Sequence, residues 1–115
     1  MATRRVSDLV GEELDRAVAR ARGRELRLGF AGTMAEKWLE RVAAPDEWVA
    51  MPRPSEDWAE GGPIIEEHRI ELQFNGPAGW RATEYNFAHA MDGDTPLVAA
   101  MRVFVRNELG PAVDL

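Results

Sequence analysis

"GDTPLVAAMRVFVRNELG", residues 93–110, has the clearest secondary-structure pattern in the chain. Asp94 or Thr95 can cap the start of a helix, Pro96 suits the first helical position, and Gly110 suits the position after the end. Apolar side chains recur at intervals of three and four residues, which places them on one helix face. These apolar residues are Leu97, Ala100, Met101, Phe104 and Val105. The segment therefore predicts an amphipathic helix with one buried stripe.

The residues before this helix predict the surface on which it packs. "HRIELQF", residues 68–74, alternates apolar and polar side chains, which is the period of a half-buried strand. "NGPAG", residues 75–79, is typical of a turn, and "WRATEYN", residues 80–86, of a returning strand. We therefore expect an antiparallel hairpin, with the helix stripe packed on Ile70, Leu72 and Phe74.

A second amphipathic helix is predicted near the start of the chain. "VSDLVGEELDRAVARARG", residues 6–23, has apolar residues at Leu14, Ala17, Val18 and Ala21, and Gly23 is a natural stop. Acidic residues lie near the positive start of this helix and arginines near its negative end, in agreement with the helix dipole. The expected fold class is α+β: two main amphipathic helices on one face of a small antiparallel sheet.

The segment between the first helix and the hairpin is less regular. "ELRLGFAG", residues 25–32, alternates weakly and suits a strand. "TMAEKWLERVA", residues 33–43, opens with Thr33 and Glu36 at capping-box spacing, which predicts a short helix; a strand from about Met34 is the alternative. The prolines and the glycine pair of "APDEWVAMPRPSEDWAEGGP", residues 44–63, predict an ordered loop or single turns, with Ser55 as a cap and Pro63 opening a further turn.

Length, charge and composition narrow the functional classes. At 115 residues the chain is expected to form one domain, residues 1–115. Its net charge of −6 argues against binding to DNA or to an anionic membrane surface. The absence of cysteine excludes disulfides, thiolate zinc sites and a cysteine nucleophile. No apolar stretch approaches the length of a membrane span, so we expect a cytoplasmic protein.

Three stretches together resemble one protein family: "SDLVGEELDRAVARARG", "PSEDWAEGGPIIEE" and "GDTPLVAAMRVFVRNELG". They are similar to the NinX-like family of small phage and prophage accessory proteins, a domain of unknown function. The resemblance spans almost the whole chain, although the family shows an aromatic residue inside the first helix where this chain has Arg16. It implies a protein of the host bacterial cytoplasm. Small phage accessory proteins often counter host defence, either by sequestering nucleotide signals or by masking a host protein.

The segment around Trp58 is the predicted ligand-binding site. Gly61 and Gly62 permit close approach of a ligand to the backbone, and the turn at Pro63 can present free N–H groups. The Trp58 ring suits stacking on a planar group, and Arg102 suits a bidentate contact with a phosphate or carboxylate. The residues assigned to this site are Ser55, Asp57, Trp58, Gly61, Gly62, Glu66, Trp80, Tyr85, Thr95 and Arg102. The expected ligand is small, planar and anionic, such as a nucleotide.

The alternatives are a structural role for the same segment and two other functions. Trp58 can plug the edge of the core, and the glycines can simply turn the chain. Masking of a host protein would use the acidic surface and need no pocket. A small hydrolase would need a carboxylate pair from Glu66, Glu67 and Glu84.

Enzymatic and metal chemistry have little support in the sequence. The few hydroxyls and the two histidines assemble no convincing nucleophile–base pair, so we expect no enzyme and no catalytic residue. His89, Asp92 and Asp94 are interpreted as a loop with a helix cap rather than a metal site. No cofactor is expected. We expect the chain to self-associate as a homodimer or higher homo-oligomer.

Overall fold

The computed structural model describes residues 2–30, 35–43 and 47–115. Within these residues, three α-helices and three small antiparallel sheets form the fold. The helices are α1 (Gly11–Ala21), α2 (Trp58–His68) and α3 (Pro96–Leu109). The strands are β1 (Thr3–Arg5), β2 (Leu26–Gly29), β3 (Lys37–Ala43), β4 (Glu47–Ala50), β5 (Ile70–Phe74), β6 (Trp80–Glu84), β7 (Ala90–Gly93) and β8 (Ala112–Asp114). No helix among the described residues is long and apolar enough to cross a membrane.

Helix α3 forms the centre of the core, as its sequence predicts. The Thr95 side chain accepts a hydrogen bond from the Val98 amide at 3.1 Å, Pro96 occupies the first turn, and Gly110 ends the helix with a positive φ of 98°. Helix α3 packs on strands β5, β6 and β7 on one side and on α1 and α2 on others. Phe104 and Met101 are fully buried between these layers.

The predicted hairpin is confirmed, and its packing on α3 is confirmed in part. Strands β5 and β6 pair antiparallel, with Ile70 opposite Glu84 and Phe74 opposite Trp80. Ile70 is buried and Leu72 packs against the core, but Phe74 is 65% exposed. Phe74 is the last residue of the edge strand, and its ring contacts Trp80 at a centroid distance of 5.2 Å.

The fold class α+β is confirmed, although the described strands form three small sheets instead of the single sheet that the sequence predicts. The sheets have the orders β1–β8, β2–β3–β4 and β5–β6–β7. The β1–β8 pair joins the two ends of the chain, with Arg4 opposite Val113. Strands of three residues are too short to show a period of two, so the sequence gives no signal for this pair.

The predicted short helix over residues 33–43 is wrong, and the alternative strand is right for the described part. Strand β3 pairs with both β2 and β4, and its Leu39 is buried. Gly29 lets Leu39 pack closely, since a Cβ on Gly29 would lie 2.8 Å from Leu39 Cδ1. This long-range pairing outweighs a capping-box spacing. Thr33 lies outside the described residues.

The predicted break at Gly61, Gly62 and Pro63 is also wrong, because α2 runs through all three residues. The cap is Asp57 rather than Ser55: the Asp57 side chain accepts a hydrogen bond from the Ala59 amide at 2.9 Å. Burial of Ile64, which is 1% exposed, anchors the helix to the core and offsets the backbone cost of the two glycines and the proline.

Candidate ligand-binding site

A tight turn at residues 53–57 joins β4 to α2 and is fastened to α1. The Asp57 amide donates to the Arg53 carbonyl at 2.9 Å, which closes the turn. The Ser55 amide donates to Asp15 Oδ1 at 2.9 Å, across 40 positions of sequence. The turn therefore has a fixed position beside the first half of α1, and a groove lies on each side of it.

The larger groove, called here the Asp15 groove, has a volume of about 630 Å³. Its wall combines an aromatic ring, a thioether, three carboxyl groups and two cations. The lining residues are Glu12, Asp15, Lys37, Trp38, Ala50, Met51, Arg53 and Glu56. Glu12 and Asp15 face the same groove because they are three residues apart on a helix.

Asp15 is the unusual group in this groove. The residue is only 1% exposed, and its Oδ2 has no hydrogen-bond partner among the described residues. Burial raises the pKa of the Asp15 carboxyl, while the Ser55 amide and then the nearby Ser55 hydroxyl lower it less strongly. The groove thus borders a buried carboxyl, one oxygen of which makes no hydrogen bond of normal geometry among the described residues.

Trp38 forms the aromatic part of the wall and is held by α1. The Arg16 guanidinium lies over the indole ring at 4.6 Å from its centroid, within cation–π distance. Trp38 also lines a second hollow of about 150 Å³, together with Arg16, Arg20 and Arg24. Where the family resemblance implies an aromatic residue in the first helix, this chain has an arginine that packs on Trp38.

The second groove, called here the Trp58 groove, has a volume of about 480 Å³ and contains three of the ten predicted site residues. Ser55, Trp58 and Thr95 line it, and the buried Ser55 Oγ, which lowers the pKa of the nearby Asp15 carboxyl, makes no hydrogen bond of normal geometry. The Thr95 hydroxyl already caps α3. The charged side chains described in this lining are acidic, Glu56 and Asp94.

Four of the other predicted residues belong to α2 or its cap. Asp57 caps the helix, and Gly62 and Glu66 lie further along it. Gly61 is buried, and a Cβ there would lie 2.5 Å from the Pro54 carbonyl oxygen and 2.7 Å from Leu97 Cδ2. The structure thus gives Gly61 a packing role.

The last three predicted residues lie outside both groove linings. Trp80 is on β6 and packs against the core, while Tyr85 follows β6 and is exposed. Arg102 Nε donates to the Leu9 carbonyl at 2.9 Å and Nη1 to the Asp92 carbonyl at 2.8 Å. Burial lowers the pKa of Arg102, opposed by nearby aspartates.

Two of the carboxylates considered for catalysis or metal binding, Asp92 and Glu84, have defined partners. Arg81 Nε donates to Asp92 Oδ1 at 2.9 Å, and the hydrogen bond lowers the pKa of Asp92. Glu84 is buried and contacts His68 and Asn107. Glu66 and Glu67 are exposed on α2.

Sequence reasoning missed Asp15, Lys37, Trp38 and Arg53 as groove residues. A signal was present for Asp15, since it follows Leu14 and precedes Ala17 and Val18 within the buried face of α1. A carboxyl inside an apolar stripe requires a partner or a function. The signal for the other three was absent, because they meet Asp15 only in the folded chain.

Comparison with known proteins gives one family. No curated protein matches the chain. The model of the family described as "Bacteriophage P22, NinX" matches residues 5–108, a range that includes α1, the 53–57 turn and nearly all of α3. Because the match covers far more than half of the 115 residues, the chain belongs to the bacteriophage P22 NinX family.

Proposed function

We propose that this NinX-family protein is a non-catalytic phage accessory protein that binds a small, planar, anionic ligand of nucleotide type in the Asp15 groove. Such a protein would act in the cytoplasm of the host bacterium by sequestering a nucleotide signal of host defence. The observation that carries the proposal is Asp15, a lining residue of the groove whose buried carboxyl has an Oδ2 that makes no hydrogen bond of normal geometry among the described residues.

The free oxygen of Asp15 supports a ligand with an N–H edge. A buried acceptor without a hydrogen bond costs about 1–3 kcal/mol, so a ligand that donates to it recovers part of that cost. Nucleobases carry ring and exocyclic N–H donors on a planar edge.

The rest of the groove suits the other parts of a nucleotide. Trp38 and Met51 offer aromatic and thioether surface to the base. Lys37 and Arg53 are the cations that line the described wall, and they replace Arg102 as the candidates for phosphate. With a net charge of −6 on the protein, affinity for an anion must come from these short contacts rather than from long-range attraction.

A titration with a panel of mononucleotides and cyclic nucleotides tests this proposal. Asp15→Asn replaces the free acceptor with an N–H₂ donor, and Arg53→Gln removes a phosphate contact. Arg27→Gln is the matched control for charge, because exposed Arg27 stacks on Trp48 and does not line the groove.

We expect Asp15→Asn and Arg53→Gln to weaken binding and Arg27→Gln to leave it unchanged. Weaker binding after Arg102→Lys but not after Arg53→Gln would instead put the anion at the clamp predicted from the sequence. Binding of no nucleotide by the parent protein would exclude the proposal.

A second candidate, masking of a host protein, is favoured by apolar side chains on the β2–β3–β4 sheet. Leu28 and Val49 lie on the same face by strand register and are 49% and 39% exposed, and Val42, at the irregularity between Arg41 and Ala43, is 43% exposed. Exposed apolar surface of this kind is common at protein interfaces. A second copy of the chain on this face would give the homodimer expected from the sequence. Light scattering with the Val49→Lys variant separates self-association from binding of a host protein.

A further inference from the structure

A histidine and two glutamates come together where α2, β6 and α3 end. His68 is the last residue of α2, Glu84 the last residue of β6, and Glu108 lies in the last turn of α3. One ligand atom from each side chain lies within 4.8 Å of the other two.

Two of the three side chains are held in place before any ligand arrives. Glu84 is 4% exposed, and Asn107 Nδ2 donates to its Oε1 at 2.9 Å. The His68 ring packs on Phe104 with a centroid distance of 4.6 Å. Fixed orientation by neighbouring groups is typical of the residues that bind metal ions in proteins.

The distance between His68 and Glu84 suits two ligands of one ion. His68 Nδ1 and Glu84 Oε2 are 3.3 Å apart, which is long for a charge-assisted hydrogen bond of about 2.7–2.9 Å. Two ligands that each lie about 2.0–2.1 Å from a tetrahedral zinc ion are separated by about 3.3 Å. Glu108 is exposed, so its side chain has the freedom to close a third contact.

The electrostatics of this end also favour a cation. Helices α2 and α3 both end here, and helix C-termini carry partial negative charge. Two carboxylates add to that charge. The neighbouring cation, the guanidinium of Arg69, lies over the Tyr85 ring, 5.9 Å from the ring centroid.

We infer that His68, Glu84 and Glu108 form a binding site for a divalent transition-metal ion of the Zn²⁺ type, with the remaining position open to water. One imidazole with two carboxylates is a donor set that Zn²⁺ accepts, whereas Mg²⁺ prefers oxygen donors alone. The site is separate from the Asp15 groove and does not depend on the proposed function.

The experiment is a Zn²⁺ titration of the untagged protein by isothermal calorimetry, with Mg²⁺ as the comparison ion. The variants are H68Q and E108Q, and E108Q alters an exposed side chain. H89Q and E67Q are matched controls, because they make the same substitutions at exposed positions outside the cluster.

We expect one Zn²⁺ per chain in the parent and in both controls, with no comparable Mg²⁺ binding. Affinity should fall about 10–100-fold or more in E108Q and H68Q, since even loss of an outer-shell partner costs that much. Absence of Zn²⁺ binding by the parent would overturn the inference. Equal affinity in the parent, H68Q and E108Q, or loss of binding in H89Q, would do so as well.

Discussion

Replacement of Asp15 by asparagine should stabilise the protein at neutral pH. The two side chains have nearly the same shape, and asparagine keeps the Oδ1 acceptor for the Ser55 amide. What is lost is a buried charge whose second oxygen has no partner in the described structure. A residue that lowers stability in the free protein is typical of a binding site, where the ligand supplies the missing contact.

The size of the effect follows from the burial of Asp15. An unsatisfied buried polar atom costs about 1–3 kcal/mol. Asparagine leaves its own N–H₂ in the same place, so only the part due to charge is recovered. We therefore expect a gain of about 1 kcal/mol, at the low end of that range, in the free energy of unfolding at pH 7.

The direction of the pKa shift determines how the stability difference between the variant and the parent changes with pH. Because burial raises the pKa of Asp15, the folded state binds its proton more tightly than the unfolded state. The stabilisation from that proton is complete below the unfolded pKa of about 3.9 and is lost as pH rises through the folded pKa. The advantage of Asp15→Asn should thus be small at acid pH, grow as pH rises, and level off above the folded pKa.

Chemical denaturation of both proteins from acid to neutral pH measures this difference. Asp57→Asn is a control that makes the same change of charge at an exposed helix cap. Two results would refute the description of Asp15 as an uncompensated buried acid. One is an Asp15→Asn protein that is less stable than the parent at pH 7. The other is a difference in the free energy of unfolding that does not change with pH.

Three further predictions concern the fold. Phe104→Ala should lower the free energy of unfolding by about 3–5 kcal/mol, because the ring is buried in the core; an unchanged denaturation midpoint would remove Phe104 from it. Gly61→Ala should lower the melting temperature, because the new Cβ would meet Pro54 and Leu97. The Cβ of Gly62→Ala would meet nothing within 4 Å, so this variant should be more stable than the parent by about 0.5–1 kcal/mol. Equal effects of the two substitutions would contradict the packing of α2. Protein stripped of metal with EDTA should keep its cooperative thermal transition, since the described core consists of apolar side chains; loss of the transition would show that folding needs a metal.

Local signals predicted the elements whose stability is local. Helix α3 begins at Thr95 and Pro96 and ends at Gly110, as capping and the apolar period indicate, and the β5–β6 hairpin follows from alternation and its turn. Helix α2 could not be predicted in this way. Its Gly-Gly-Pro sequence opposes helix locally, and burial of Ile64 against the core, which no local pattern reports, decides the outcome.

The candidate site was predictable only in part for the same reason. Ser55, Trp58 and Thr95 were grouped from the sequence and do line one groove. Asp15 and Ser55 meet across 40 positions, and the backbone acceptors of Arg102 become known only once the chain is folded. Properties that depend on distant contacts, such as a free buried oxygen or an occupied guanidinium, cannot be read from spacing along the chain.

The central claim, that the Asp15 groove holds a planar anionic small molecule, is tested most directly by mass spectrometry of compounds released on denaturation. The parent and Asp15→Asn proteins are incubated with an extract of a host bacterium, repurified in parallel and denatured. The account predicts that the parent releases an aromatic, phosphate-bearing compound in nearly equimolar amount and that the variant releases little or none. Release of no such compound from the parent, or equal release from both proteins, would contradict it.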